Sequence, residues 1–323
     1  MPDHPAIITF VDRVRRDVIG GAADIARECV QALTQLVKDS LADNMTDLNS
    51  EFQEAVIAIL HVMPSFAPPI NAINRLLMAM EVGLQENKSI NTIKQDIQTI
   101  ADIFYHQMEE SLEKISQYGA EKVPDNSTVF MYSMSSTVWR ILQKAKTQGK
   151  TFHVIVTESR PAKEGLLTID AMLKHGIPVS VSIDACIGEL IPQANVVFVG
   201  ADAISSNGVA YCKVGTYPSA LVAKRHSIPF YIAADTLKFD PASLLGLPFR
   251  HDRVHREDVL DSQYSADVQV VGTMFDETPA DLITGIITEA GVLHISACFT
   301  LFQRMELSQF LASILPAWAY GKI

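Results

Sequence analysis

The stretch NSTVFMYSMSSTVWRILQKAKTQGKTFHVIVTESR (Asn126–Arg160) decides the fold of this chain. It holds two short apolar, β-branched runs, Thr128–Tyr132 and Phe152–Thr157, separated by a segment with helical spacing, Thr137–Lys146. A strand, a helix and a second strand in this order form a right-handed crossover between parallel strands. The run HVIVT is largely apolar, which is typical of a strand covered on both faces. The stretch therefore predicts a parallel α/β unit.

The same alternation continues toward the C-terminus. Further strands are predicted at Pro178–Ile183, Val196–Gly200, Pro229–Ala233 and Val268–Val271. Helices are predicted at Lys163–His175, Ile187–Gln193, Pro218–His226 and Pro279–Thr288, with an added apolar helix in Val292–Ile323. Residues 123–323 are thus predicted to form one parallel-sheet α/β domain with a helical C-terminal tail.

Residues 1–122 show no two-residue alternation and follow helical spacing instead. Apolar residues recur mostly every three or four positions around Ile25–Leu41, Phe52–Met63, Ile70–Leu84 and Ile90–Ile115. The proline-rich PSFAPP (Pro64–Pro69) interrupts this pattern, because proline removes a backbone donor and fixes φ. Ser89 is predicted as the N-cap of the fourth helix and Gly119 as its C-terminal stop. The fold class is therefore α/β, with an N-terminal helical bundle before the parallel sheet.

Charge and composition exclude several classes of function. The formal net charge of −11 leaves no basic footprint for a phosphate backbone, so no direct nucleic-acid partner is expected. No segment approaches the roughly 18 uninterrupted apolar residues of a membrane helix, and MPDHPAIITFVDRVRR lacks the order of a secretory signal. We therefore expect a cytoplasmic protein with no membrane partner. The four cysteines lack metal-ligand spacing, so reduced thiols and no metal site are expected.

Polar side chains follow the predicted strands at the edge where open α/β sheets bind ligands. They are Ser133, Glu158, Arg160, Asp184, Asp202 and Lys238. In KVGTY, which precedes a helix, Lys213 is a candidate phosphate ligand, and the backbone at Gly215 and Thr216 favours an anion. Alternatives stay open. Thr157 and Asp184 could be helix N-caps, Glu158 and Arg160 a structural ion pair, and Lys238 a solvated loop charge.

Two familiar kinds of site have no support in the sequence. No GxGxxG or GxxxxGK[ST] phosphate loop is present, so neither a dinucleotide nor ATP is expected, and no cofactor is predicted. No GxSxG elbow surrounds Ser133, so a hydrolase triad is unsupported. Asp202 differs from the other candidates, because it lies between two alanines with no obvious capping partner.

Several longer motifs resemble one family. They are TESRP (Thr157–Pro161), VGADAISSNG (Val199–Gly208), CKVGTY (Cys212–Tyr217), HSIPFYIAA (His226–Ala234) and FDETPADLITGIITEAG (Phe275–Gly291). They resemble the superfamily of the translation initiation factor 2B α, β and δ subunits, which includes ribose-1,5-bisphosphate isomerase and methylthioribose-1-phosphate isomerase. The resemblance implies a helical N-terminal domain, a Rossmann-like C-terminal domain and a sugar-phosphate or nucleotide pocket. It also implies a homodimer or a higher homo-oligomer.

The resemblance also implies site roles. The isomerases use an aspartate, which matches Asp202, and a lysine, which matches Lys213. Their cysteine is replaced here by Ser133, and an alcohol is a poor substitute for a thiol in proton transfer. Two arginines that match Gly20 and a position near Met63 are also lost, and arginine is the residue best suited to clamp a phosphate.

Two functions follow from these departures. The main expectation is an oligomeric, initiation-factor-2B-like protein that binds a small phosphorylated ligand for regulation, with an eroded isomerase site. The alternative is an aldose–ketose sugar-phosphate isomerase that uses Asp202 as acid and base, with Ser133 in a supporting role.

Overall fold

The chain divides into two compact units, each assembled from separate segments of sequence. The computed structural model describes residues 4–16 and 20–322. The first unit comprises Met1–Glu109, Phe239–Arg250 and Phe302–Ile323, and the second comprises Glu110–Lys238 and His251–Leu301. This division differs from the predicted boundary after residue 122, because the C-terminal tail and a short internal segment pack with the helices of the first unit.

Five helices make up most of the first unit. They are α1 (Pro5–Arg16), α2 (Ala22–Asp39), α3 (Met45–Val62), α4 (Ala67–Gln85) and α5 (Ile90–Glu121), the last of which continues into the second unit. Ser89 caps α5, since its Oγ accepts from Thr92 N at 3.2 Å, as predicted. Pro68 and Pro69 lie in the first turn of α4, where a missing N–H costs no hydrogen bond. The predicted helical bundle is confirmed, and no helix among the described residues is both long and apolar enough to cross a bilayer.

Gly119 does not end α5, contrary to the prediction. The helix continues to Glu121, and a Cβ on Gly119 would lie 2.4 Å from Ile141 Cδ1. This glycine is therefore required by close packing against the helix that carries Ile141.

The C-terminal tail contains more than the single helix predicted. A short strand, β10 (Gly291–Leu293), is followed by α10 (Ile295–Phe302) and α11 (Gln309–Ala319). The N-terminus of α11 is held in the first unit, where the Glu81 carboxylate accepts from Gln309 N at 3.1 Å and from Phe310 N at 3.0 Å. Asn74 also accepts from Ser308 N at 2.9 Å, just before α11. These polar contacts, of which the one to Asn74 is buried, explain why the end of the chain joins the helical unit.

The second unit is built on a seven-stranded sheet. The strands are β1 (Ser127–Met131), β2 (Phe152–Thr157), β3 (Val179–Ser182), β4 (Val196–Gly200), β7 (Phe230–Ala233), β9 (Gly285–Thr288) and β10. Their order is β10-β9-β7-β4-β1-β2-β3, and only β10 is antiparallel to its neighbour. The first five predicted strands are confirmed. The order of the six parallel strands is that of the doubly wound nucleotide-binding fold, whose switch point lies here between β1 and β4.

Two predictions near the C-terminus are wrong. Val268–Val271 is not a strand: Val271 is 87% exposed, and the segment follows a turn closed by Val268 N to Ser265 O. The predicted helix Pro279–Thr288 is a short 3₁₀ turn, Ala280–Leu282, followed by β9. The β-branched GIIT sequence of β9 is buried at every position, so pairing with β7 prevails over the helical spacing of its apolar residues.

Helices connect the parallel strands. The α-helices are α6 (Ser136–Thr147), α7 (Ile169–Lys174), α8 (Ile187–Leu190) and α9 (Thr216–Arg225). The predicted helix at Lys163–His175 divides into a 3₁₀ turn (Glu164–Thr168) and α7, and the one at Ile187–Gln193 into α8 and a 3₁₀ turn. Other 3₁₀ turns are Asp184–Cys186, Thr236–Lys238, Pro241–Leu245 and Arg256–Asp258. The apolar face of α6 packs on β1, β2 and β4 in a fully buried cluster.

The second unit also contains a three-stranded antiparallel sheet, whose first strand begins three residues after the end of β4. This sheet consists of β5 (Ala203–Ile204), β6 (Ala210–Lys213) and β8 (Phe275–Thr278), in the order β5-β6-β8. Since β4 ends at Gly200 and β5 begins at Ala203, Asp202 occupies the step from one sheet to the other. Lys213 is the last residue of β6.

Candidate functional site

The candidate site begins at the switch point of the sheet. Strands β1 and β4 are neighbours, and each leads within two residues to a predicted site residue, Ser133 after β1 and Asp202 after β4. Ser133 has a φ of 60°, a left-handed conformation that non-glycine residues rarely adopt. Such backbone conformations are costly and tend to occur where function requires them.

A buried hydrogen-bonded cluster, here called the Ser133–Glu164–Lys213 network, forms at these strand ends. Ser133 Oγ donates to Glu164 Oε2 at 2.7 Å, and Lys213 Nζ lies 2.8 Å from Glu164 Oε1. The side chains of Glu164 and Lys213 are each only 9% exposed. The Lys213 ammonium also lies 4.8 Å from the centroid of the Phe275 ring, a cation–π contact. Both Glu164 oxygens and the lysine are therefore engaged within the protein.

Asp202 is the second element of the site. It is held in place by its backbone, which donates to Tyr211 O at 2.9 Å at the start of the small sheet. Burial raises the pKa of Asp202, an effect opposed by the positive charges of Lys238 and Lys213 and reinforced by Glu164. A carboxyl group with a raised pKa holds its proton more readily near neutral pH, which suits proton transfer.

Lys238 is the other buried cation at these strand ends. It closes the 3₁₀ turn Thr236–Lys238 after β7 and is 8% exposed. Unlike Lys213, it forms no ion pair within 4.0 Å among the residues that the structure describes. Asp235, in the same turn, has a buried Oδ1 without a hydrogen-bond partner among those residues, and burial raises its pKa. The open alternative of a solvated loop charge therefore does not describe Lys238.

Asp184 and Arg160 have structural partners. The Asp184 carboxylate accepts from Ser159 N at 2.8 Å and from Arg160 N at 2.7 Å, so it fixes the loop after β2 and does not cap its own 3₁₀ turn. The Arg160 guanidinium donates to Asp258 O at 2.5 Å, and no ion pair with Glu158 forms in the described part of the chain. Ligand-binding roles for Glu158, Arg160 and Asp184 stay predictions.

Ser159 connects this loop to Ser133. Its Oγ accepts from Ser133 N at 2.9 Å, and it has a left-handed φ of 59° itself. Thr157, the other proposed N-cap, is fully buried, and its Oγ1 has no hydrogen-bond partner among the described residues. It therefore caps no helix.

An internal carboxylate occupies the predicted anion site at the N-terminus of α9. Asp276 Oδ2 accepts from Gly215 N at 2.7 Å, and both Asp276 oxygens accept from Tyr217 N at 3.1 Å. Burial raises the pKa of Asp276 to about 6, although the backbone donors of Tyr217, Gly215 and Thr216 oppose the shift. Asp276 therefore supplies the negative charge at the backbone of Gly215 and Thr216, where the sequence predicts an external anion.

Sequence reasoning missed Glu164 and Asp276. Glu164 lies seven residues beyond β2 in a segment predicted to be helical, and no motif distinguishes it from a surface acid. Asp276 follows a bulky apolar residue on β8, 61 positions from Gly215. Only the pairing of β6 with β8 brings it to the start of α9.

No described cysteine takes part in the Ser133–Glu164–Lys213 network. Cys212 is next to Lys213 but is fully buried, and burial raises the pKa of its thiol well above the usual value. Cys29 and Cys186 are also free thiols, while the side chain of Cys298 lies outside the described part of the structure. The hydroxyl of Ser133 therefore stands where the resemblance expects a thiol.

The sequence matches the model of the initiation factor 2 subunit family over residues 18–295. The chain belongs to this family. A family member from Archaeoglobus fulgidus, the ribose 1,5-bisphosphate isomerase, is 31% identical over 288 residues, covering 89% of this chain and 89% of that protein. A putative translation initiation factor eIF-2B subunit 2-like protein from Pyrococcus horikoshii is 30% identical and covers 89% of this chain and 96% of that one.

Solved structures of other proteins share the fold of this chain. The 5-methylthioribose 1-phosphate isomerase from Pyrococcus horikoshii OT3 superimposes with a TM-score of 0.75 at 24% identity, covering 92% of this chain and 87% of that one. The predicted helical N-terminal domain followed by a Rossmann-like α/β domain is confirmed by this likeness and by the strand order.

Proposed function

We propose that this family member is an aldose–ketose sugar-phosphate isomerase with Asp202 as its acid–base group. One observation carries the proposal: a carboxyl group with a raised pKa lies at the switch point of the sheet, under the influence of two buried lysines. The similarity to proteins named ribose 1,5-bisphosphate isomerase favours this alternative over the regulatory function expected first.

The reaction requires four balanced proton movements. The ring oxygen of the sugar gains a proton as its bond to C1 breaks, C2 loses a proton to give an enol, C1 gains one, and the C2 hydroxyl loses one to give the ketone. A single carboxyl that begins protonated can act as the acid for the first movement and, once ionised, as the base for a later one. In this scheme Asp202 serves both steps.

The two buried lysines and the network supply the electrostatics. Negative charge develops on the C2 oxygen as the C2 hydroxyl loses its proton to give the ketone, and a fixed ammonium group stabilises that charge in a site that excludes water. Lys213 is positioned for this by Glu164 and retains N–H groups beyond the one directed at that carboxylate. Lys238 is the candidate phosphate ligand. Ser133 orients Glu164 and is a positioning residue in this scheme.

A second candidate function is regulatory ligand binding without turnover. The specific observation in its favour is Ser133, because an alcohol cannot replace a thiol as a proton carrier near neutral pH. In that case the same residues would bind a sugar phosphate or a nucleotide, and Asp202 would remain as a ligand contact.

Turnover in D₂O separates the two functions. The full-length protein would be incubated with ribose 1,5-bisphosphate, ribose 1-phosphate or methylthioribose 1-phosphate and followed by ¹H and ³¹P NMR. The isomerase proposal expects a ketose phosphate with solvent deuterium at C1, and it expects Asp202→Asn to reduce the rate by at least about 100-fold. Asp170→Asn, at an exposed carboxylate of α7, is the matched control and should be as active as the wild type. Saturable thermal stabilisation without any ketose would instead support the regulatory function.

We further propose that the protein forms a homodimer or higher homo-oligomer. Strand β3 is an edge of the main sheet, and Val181 and Ile183 at that edge are 54% and 55% exposed. Apolar side chains on an unpaired edge favour association. Light scattering after size exclusion should give at least twice the mass of the chain, and a monomer at micromolar concentration would refute this proposal.

A further inference from the structure

The two buried lysines at the strand ends differ in how their charge is balanced. Lys213 is paired with Glu164, and both side chains are 9% exposed, so the pair contributes little net charge to a ligand. Lys238 has no such ion pair among the described residues; its positive charge lowers the pKa of Asp202 and Asp235, although burial raises the pKa of both carboxyl groups. The strand ends of the main sheet therefore hold one buried cation that is free to pair with a ligand.

Other positive charges nearby are also committed. The Arg160 guanidinium binds the Asp258 carbonyl at 2.5 Å, and its side chain is exposed, where an ion pair contributes little. The Asp276 carboxylate accepts from Gly215 N at 2.7 Å and so compensates the positive potential at the start of α9. A second phosphate group would find no further uncompensated buried cation among the described residues of this unit.

The charge of the ligand matters in such a site. One phosphate carries about −1.5 to −2 at neutral pH, so a bisphosphate carries roughly twice that. A buried carboxylate beside the second phosphate of a bisphosphate would also repel that phosphate. This repulsion lowers the affinity for the bisphosphate relative to the affinity for the monophosphate. Only 9% of the Glu164 side chain is exposed, so solvent screens its charge weakly.

We propose that Glu164 makes this crevice selective for sugar ligands that carry a single phosphate group. That the ligand is a sugar phosphate rests on the proposed function. What is new is the number of phosphate groups on the ligand and the residue, Glu164, that determines this number. By neutralising Lys213, Glu164 leaves Lys238 as the one buried phosphate partner. Lys213 then serves the sugar oxygens.

Calorimetric titration with two inert ligands tests the proposal without turnover. Ribitol 5-phosphate and ribitol 1,5-bisphosphate have no carbonyl or hemiacetal carbon, so an isomerase cannot consume them. The wild type should bind the monophosphate at least as tightly as the bisphosphate. Glu164→Gln, which keeps the shape and removes the charge, should tighten bisphosphate binding by about tenfold or more and change monophosphate binding by less than about threefold. Asp170→Asn, at the exposed carboxylate of α7, is the matched control and should leave both affinities, and therefore their ratio, unchanged.

Several results would overturn the proposal. The first is a wild type that binds the bisphosphate about tenfold more tightly than the monophosphate. The second is a Glu164→Gln variant that binds both ligands more tightly by the same factor. The third is the absence of monophosphate binding by the wild type. Should Glu164→Gln fail to fold, as judged by circular dichroism, the wild-type comparison decides alone. The NMR experiment is independent of this titration. Selective binding of the monophosphate without ketose formation would refute the isomerase function but not the selectivity. Turnover together with tighter binding of the bisphosphate would refute the selectivity but not the isomerase function.

Discussion

Lys213→Met is the substitution that most directly tests the Ser133–Glu164–Lys213 network. Methionine has a similar length and can keep the contact with Phe275, but it removes the ammonium that lies 2.8 Å from Glu164. Glu164 would then be a buried carboxylate without a counterion, while Ser133 would still donate to it at 2.7 Å. We therefore expect a loss of stability caused by Glu164 and not by lost packing.

The size of the loss follows from the burial of the pair. Removing one partner of a buried ion pair costs about 3–5 kcal/mol, because the remaining charge is left uncompensated. The surviving hydrogen bond from Ser133 to the carboxylate supports part of that charge, so we expect about 3 kcal/mol. Adding Glu164→Gln to Lys213→Met removes the stranded charge, and replacing both partners by neutral groups is often close to neutral. The double variant should thus recover about 2 kcal/mol.

Urea unfolding followed by tryptophan fluorescence measures this coupling. The two tryptophans report on different units, Trp139 in α6 of the α/β unit and Trp318 in α11 of the helical unit. In a Trp318→Phe background, Trp139 alone reports on the unit that holds the network. Four proteins complete the cycle: this background, each single variant, and the double variant.

A small coupling would refute the reasoning. If the two substitutions are additive to within about 0.5 kcal/mol, Glu164 and Lys213 do not interact as a buried pair. A Lys213→Met loss that is equally large when Glu164 is already glutamine would point to packing against Phe275 instead.

Two further predictions concern a buried acid and a close backbone contact. Burial raises the pKa of Asp240 to about 6, against backbone donors from Ala242 and Ser243, so the folded protein keeps a proton that the unfolded chain loses above about pH 4. The free energy of unfolding of the wild type therefore falls as the pH rises through that window. The free energy of unfolding of Asp240→Asn in urea, relative to that of the wild type, should increase by about 2–3 kcal/mol between about pH 3.5 and 7. A difference between the two proteins that stays constant with pH would contradict the burial argument. Gly215→Ala should destabilise the α/β unit by about 2–4 kcal/mol, because Gly215 has φ +102° and a Cβ would lie 2.0 Å from the Tyr132 hydroxyl; a melting temperature equal to that of the wild type would show that this approach is not required.

The parallel sheet could be predicted from the sequence largely because its inner strands β1, β2, β4 and β7 are buried on both faces. Runs such as Phe152–Thr157 and Val196–Gly200 are largely apolar and rich in β-branched residues, and their predicted bounds match the structure. Prediction failed where the signal depends on a distant neighbour. Strand β9 contains isoleucines with helical spacing to earlier apolar residues, and only its pairing with β7 makes it a strand.

The candidate site could be predicted in part for a similar reason. Ser133 and Asp202 follow apolar strands directly, so the geometry of a parallel sheet brings them to one edge. Glu164 and Asp276 lie on a turn and on an antiparallel strand, where no periodicity indicates which residue they face. The sequence also led us to expect an external anion at the start of α9, because it could not reveal that Asp276 already binds there.

Helix α5 limits how the two units of this protein can be exchanged by recombination, because it contributes residues to both. Its early residues, such as Ile93 and Ile97, are buried in the part assigned to the helical unit, while Ile115 and Ala120 belong to the core of the α/β unit. A fragment that began at residue 123 would therefore lack two residues of its own core. Recombination could not exchange either unit cleanly between genes, since any junction placed after α5 would divide a core. The two units are expected to be inherited together, and the family match runs through both of them.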